Sequence, residues 1–237
     1  FTLGTGRVTW YAVTNGNSNG AIWAKTATGT PQVVPSWCSR TDVVINPGVS
    51  LNINAAVTCK NLTIQPGSTI TANTSNITVH GNITNNGIFN AGSSSVYLNG
   101  TTAQIISGTQ LLQFNNLYCN NAAGITFSGS AMEMKGILQI NTGTFNTGDK
   151  LTILSSATTQ GSIGPILGDL TGTLIMQRYH NRTSAGWVNL ASPIQNKTLQ
   201  DWNDDLITSG FAGSNYPNYN FNNMYYYNES ATGGRDN

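Results

Sequence analysis

The chain predicts an all-β protein wound as a right-handed parallel β-helix, and three observations lead there. Between Val43 and Thr152, short runs of Val, Ile, Leu, Thr and Phe alternate with polar residues. Apolar side chains at every second position put one side of each run inward, which is strand periodicity. The runs are broken every few residues by Pro-Gly, Asn-Gly, Asn-Asn or Gly-Ser, residues that accept the backbone angles of tight corners. Finally, the apolar anchors Leu62, Ile77, Val96, Leu117 and Ile137 recur at roughly the 20-residue spacing of a stacked solenoid. About five coils are expected on that period.

A β-sandwich also has many short strands joined by turns. The solenoid is favoured because one turn-flanked motif recurs: Asn61-Leu62-Thr63-Ile64, Asn76-Ile77-Thr78-Val79, Asn82-Ile83-Thr84-Asn85 and Asn116-Leu117-Tyr118-Cys119. Asn residues repeated in this way are expected to stack as amide ladders between coils.

Residues 1–42 are expected to be an N-terminal cap. Arg7 to Thr14 alternates as a strand, Asn15 to Gly20 is a turn, and Ala21 to Ala24 is a second strand. The first coil of a solenoid exposes an edge and an open core unless something covers them. Trp10, Trp23 and Trp37 are large enough to plug that end; a platform for stacking sugars is their alternative use.

Residues 43–178 are expected to hold the coils. From Val43 to Met132 there is no Asp or Glu, and Lys60 is the only Lys or Arg. Enzymes that act on polysaccharides from a β-helix need carboxylates as acid and base or as Ca²⁺ ligands. His80 stands there without an acidic residue to orient it, which makes it a poor catalyst. No catalytic residue, cofactor or metal is assigned. Thr63, Thr69, Thr71, Thr74, Thr78 and Thr84 do not keep one offset per coil, which argues against an ice-binding array. The Asn-x-Ser/Thr triplets at Asn61, Asn73, Asn76, Asn82, Asn99, Asn181, Asn196 and Asn228 are read as a product of composition. From Ser155 to Gly164 a loop is expected to leave the regular coils, followed by one long strand from Leu170 to Tyr179.

Residues 179–237 are expected to open a second β-rich module. A strand from Gly186 ends at Pro193. Thr198 then caps a helix from Leu199 to about Ser209, with Asp201 in the capping-box position and Gly210 beyond the end. Asp201, Asp204 and Asp205 form an acidic cluster, either surface charge or a Ca²⁺ site. Tyr216 to Tyr227 is aromatic-rich and includes an expected strand, Met224 to Tyr227. Trp10, Trp23, Tyr216, Tyr219 and Tyr225 are the residues offered as glycan contacts. The chain is expected to continue beyond Asn237, and Phe1 to follow a removed leader.

Composition narrows the function classes. Charged residues make up 8% of the chain, against about a quarter in ordinary soluble domains. Asn, Gly, Ser and Thr fill the surface, as in exported β proteins. The formal net charge is +1, and no basic run or aromatic-basic interleaving is present, so nucleic acid is not an expected partner. No apolar run reaches the roughly 18 residues of a membrane-spanning helix. Disorder is excluded by low net charge and abundant β-branched residues. Cys38, Cys59 and Cys119 lack metal-site spacing. Cys119 is read as buried, while Cys38 and Cys59 are either buried thiols or a disulfide.

Trp10-Tyr11-Ala12-Val13, Asn17 and Ile22-Trp23 resemble the opening of large Bacteroidota surface proteins. The segments Asn61 to Ile70 and Gly81 to Asn90 resemble their β-helix coils. Gly186 to Pro193, Asp201-Trp202-Asn203 and Gly210 to Pro217 are similar to the segment that follows those coils. The resemblance covers nearly the whole chain and supplies no catalytic residues. It implies export through the type IX secretion system, with its outer-membrane translocon as partner, and a place at the cell surface or outside the cell. It also implies a structural or adhesive role, including in gliding motility. The alternative reading is a polysaccharide-binding module, or a polysaccharide-degrading enzyme whose chemistry lies outside the coils.

Overall fold

In a computed structural model the chain is an all-β parallel solenoid with three faces. The structure describes residues 6–33, 37–179, 198–202 and 207–218. The chain divides into two compact units, 1–181 and 182–237.

Strand β1 (Val8–Ala12) starts the first face and β2 (Gly16–Asn17) starts the second. β3 (Ala21–Ala24) then runs antiparallel to β1, and β4 (Gln32–Val33) antiparallel to β3. The regular coils follow. The first is β5 (Thr41–Ile45), β6 (Ser50–Asn52) and β7 (Val57–Cys59). The second is β8 (Leu62–Ile64), β9 (Thr69–Thr71) and β10 (Ile77–Val79). The third is β11 (Ile83–Asn85), β12 (Ile88–Asn90) and β13 (Ser95–Leu98). The fourth is β14 (Gln104–Ser107), β15 (Leu112–Phe114) and β16 (Asn116–Asn120). The fifth is β17 (Ile125–Phe127), β18 (Met132–Met134) and β19 (Ile137–Thr142). The sixth is β20 (Thr144–Asn146), β21 (Leu151–Ile153) and β22 (Ser162–Ile163). β23 (Asp169–Thr171) and β24 (Leu174–Met176) add part of another.

Corresponding strands of successive coils pair in parallel. The third face is 6-stranded, from β7 to β22. Every strand is short because a corner residue ends it. Gly48, Gly67, Gly92 and Gly148 sit at corners with φ between 58° and 77°, where a Cβ is strained.

Inward side chains stack into columns of like residues. On the first face Val43, Leu62, Ile83, Ile106 and Phe127 are in register. On the third, Val57, Ile77, Val96, Leu117 and Leu138 are. All ten are buried, and burying one such side chain contributes roughly 1.5–3 kcal/mol.

The anchors named from sequence therefore need correction. Leu62 belongs to the first face and Ile77 to the third, so the interval between them is not a full coil. Ile137 is 41% exposed, and its neighbour Leu138 faces the core. The coils also continue through the expected exit. Ser155 to Gln160 is a wide corner closed by a bridge, after which β22 returns to the third face. The expected long strand from Leu170 is two strands, broken at Gly172 (φ 83°).

The second face changes course midway. β2, β6, β9 and β12 form one sheet, while β15, β18, β21 and β24 form another. The corner entering β12 spans Asn86 and Gly87, whereas the corner entering β15 spans Gly108 to Leu111. Asn85 sits at the fault. It is in register with Ile64 and faces inward, fully buried. Its Nδ2 donates to the Leu111 carbonyl at 3.0 Å, and its Oδ1 accepts from Gly87 N–H at 3.3 Å. A buried amide is tolerated when it is bonded in this way.

In the second unit, Thr198 and Asp201 form the expected cap: Thr198 N–H and Oγ1 donate to Asp201 Oδ2 at 2.7 and 2.9 Å. The helix is a single 3₁₀ turn, Leu199–Trp202. Ile207 and Thr208 are not helical, and Ser209 bridges to Tyr216, so the expected helix does not reach Ser209. The expected strands at 186–193 and 224–227 lie outside the described residues.

Candidate functional site

Outward-facing positions decide what the solenoid offers to a partner. Amide ladders occupy several of them. Asn52 Nδ2 donates to Asn17 Oδ1 at 2.7 Å, and Asn73 Nδ2 to Asn52 Oδ1 at 2.5 Å. At the end of the third face, Asn120 Nδ2 donates to Asn99 Oδ1 at 2.8 Å, and Asn141 Nδ2 to Asn120 Oδ1 at 2.6 Å. The motif asparagines act differently. Asn61, Asn82 and Asn116 accept from the backbone N–H of Asn82, Ile105 and Ile137 in the following coil. The expected ladders exist, but mostly at asparagines that the motif did not single out.

Three of the four carboxylates of the first unit are occupied structurally, and the fourth, Asp169 on β23, is exposed. Arg7 meets Asp42 through Nε at 2.7 Å, and Asn61 Nδ2 donates to the same carboxylate at 2.8 Å. Glu133 accepts from Gln113 Nε2 at 2.7 Å. Asp149 accepts from Thr173 N–H and Oγ1, which hold its carboxyl below the ordinary range, the backbone bond contributing most. Among the described residues no three His, Cys, Asp or Glu gather to hold a metal. Asp204 and Asp205 lie outside the described residues. His80 is half-buried at the corner after β10, and its carbonyl accepts from Lys60 Nζ.

The glycan candidates separate. Trp23 is fully buried, its Nε1 donating to the Ser18 carbonyl at 2.9 Å, and it packs edge-on against Trp37 at 4.8 Å. Trp10 is buried, with Lys25 Nζ 5.8 Å from its ring centroid. Neither ring offers a free face to a sugar, because both serve the apolar N-terminal end of the core. Tyr216 is 55% exposed in the second unit. Tyr219 and Tyr225 lie outside the described residues.

All three cysteines are free, so Cys38 and Cys59 are not joined. Cys59 and Cys119 share one inward column of the third face with Val79 and Leu98. Burial pushes both thiols up to about 12. Cys38 is exposed, and the Thr41 hydroxyl beside it lowers its thiol.

Sequence reasoning missed the aromatic pair on the outside of the third face. Tyr97 and Tyr118 are in register on β13 and β16 and stack at 4.7 Å with planes 9° apart. The signal was present: Val96-Tyr97-Leu98 and Leu117-Tyr118-Cys119 each place a tyrosine between two inward apolar residues.

No helix among the described residues is long and apolar enough to cross a membrane. Compared with known proteins, the chain matches no protein-family model, no curated protein and no solved structure.

Proposed function

We propose that the chain is a non-catalytic, secreted or cell-surface β-helix module with a structural and adhesive role, carried outward as cargo of the type IX machinery. One observation carries the reading: many of the outward amides and three of the four carboxylates of the first unit are bonded within the fold. Asn amides bond from coil to coil, and Asp42, Glu133 and Asp149 all have partners within the fold. A surface built in this way suits a stalk or display scaffold better than a reaction centre, which needs an acid or base free to act. The likeness of the N-terminal and coil segments to Bacteroidota surface proteins supports the export route and an involvement in attachment or gliding.

The experiment is protease shaving of intact native cells, read with an antibody against the coils. The expected result is digestion of the chain while a cytoplasmic control survives. Full protection, with release only on lysis, would overturn the reading. A purified full-length protein that cleaved polysaccharide, with turnover lost on changing a residue of 43–178, would overturn its non-catalytic part.

A further inference from the structure

The third face carries an abrupt step in side-chain size, and two ladders end at it. The register runs Thr58, Thr78, Tyr97, Tyr118, Gln139 along its central outward column. Tyr118 covers one face of the Tyr97 ring. The other face looks along the solenoid toward Thr78 and Thr58, side chains far shorter than a phenol. No other ring or cation among the described residues stacks on it. The neighbouring column ends at the same coil. Asn99 accepts from Asn120, but its own amide N–H groups donate to no described residue. One coil back from Asn99 lies His80, since Asn99 N–H bonds the Val79 carbonyl.

The step therefore has an aromatic wall, a floor of threonine hydroxyls that make no side-chain hydrogen bond among the described residues, and a flanking amide with free donors. Tyr97, Thr78, Thr58 and Asn99 are all half-buried rather than covered. An apolar surface flanked by a few convergent polar groups is the usual make-up of a small-molecule site.

We infer that this step is a binding subsite for one neutral pyranose ring of a polysaccharide, stacked on the free face of Tyr97. The C–H face of a pyranose is apolar and matches the ring, while its equatorial hydroxyls meet the Thr78 hydroxyl and the Asn99 amide. A neutral sugar fits because no carboxylate lies on this face from β7 to β19, and Lys60, at the corner after β7, donates to the His80 carbonyl. Tyr118 is a positioning residue that holds the Tyr97 ring upright. This inference deepens the adhesive reading and rests on it for its biological setting, but the binding itself is tested on purified protein.

The test uses the full chain and soluble β-glucan, galactomannan and xylan in affinity electrophoresis, with matching oligosaccharides in calorimetry. Retardation by at least one of them is expected. Y97F keeps the ring and should bind within about threefold of the parent, while Y97A should lose at least about tenfold, a modest stacking contribution. T78Y is the decisive variant. It adds a third rung to the tyrosine ladder, fills the step and covers the Tyr97 face, so it should keep or raise the melting temperature and abolish binding. No retardation by any of the three polysaccharides, or undiminished retardation of T78Y, would overturn the subsite. A surface-exposed chain that binds none of them would sink this inference alone. A chain that binds but stays inside the cell would sink the adhesive reading alone.

Discussion

At the scale of the residue, two buried serines give a matched pair. Ser68 and Ser94 are both fully buried. Ser68 Oγ donates to the Gln65 carbonyl at 2.6 Å, whereas Ser94 Oγ has no partner among the described residues. Ser68→Ala should cost about 1 kcal/mol, and Ser94→Ala should be neutral or stabilising, because it removes an unsatisfied hydroxyl. Urea denaturation of the two variants checks both. The buried thiols set an alkaline limit. Each titrates at 9.0 when unfolded and at about 12 when folded. Below 9.0 both states keep the proton, so the stability is intact. Between 9.0 and about 12 only the unfolded chain releases it, so stability falls as pH rises through that window. Replacing Cys59 and Cys119 by Val should flatten this fall, and a thiol reagent at neutral pH should label only Cys38 in the folded protein. Among the described glycines Gly108 leaves the least room: at φ 132° an added Cβ would lie 1.9 Å from the Asn85 carbonyl oxygen. Gly108→Ala should therefore unfold the fault between the two sheets of the second face, whereas Gly48→Ala meets open space and should cost about 1 kcal/mol.

At the scale of the element, alternation made the strands legible, and register was the harder matter. The pattern of Val96-Tyr97-Leu98 or Leu62-Thr63-Ile64 states which side of a strand faces inward. It does not state which strand of a coil the segment becomes, because all three faces use the same pattern. That is why Leu62 and Ile77 read as equivalent rungs in the sequence although they lie on different faces. Ile137 misled for a related reason: in Ile137-Leu138-Gln139-Ile140 the first two residues are both apolar, and only pairing with Leu117 decides that Leu138 faces inward. Leu138→Asn should accordingly abolish folding, while Ile137→Asn should fall within about 0.5 kcal/mol of the parent. The Asn ladders were legible as a kind of interaction but not by position, since an amide meets its counterpart only where asparagines fall in the same outward row of successive coils, as Asn99, Asn120 and Asn141 do. Asn120, the middle rung, both donates and accepts. Asn120→Ala should cost about 1–2 kcal/mol, more than the end rung Asn141→Ala. The tryptophans show the opposite limit. Composition shows that they are large and apolar, but only the fold distinguishes a buried plug from an exposed platform.

At the scale of the whole molecule, stacking explains both the stability and the proposed role. Each coil buries its apolar residues only against its neighbours, and its edge is satisfied only by the next coil, so the solenoid is a run of nearest-neighbour interfaces. Such a body gains length without needing charge, in keeping with a chain of 8% charged residues. The outward faces are mostly polar and uncharged, and the stacked tyrosine pair on the third face is an exception to that pattern. The measurement that tests the central claim most directly is attachment of native cells to a polysaccharide-coated surface under flow. It would compare the parent strain, a strain lacking the chain, and that strain restored with the full-length gene. The account expects attachment to fall without the chain and to return with the restored copy. Equal attachment by all three strains would contradict an adhesive role for the solenoid.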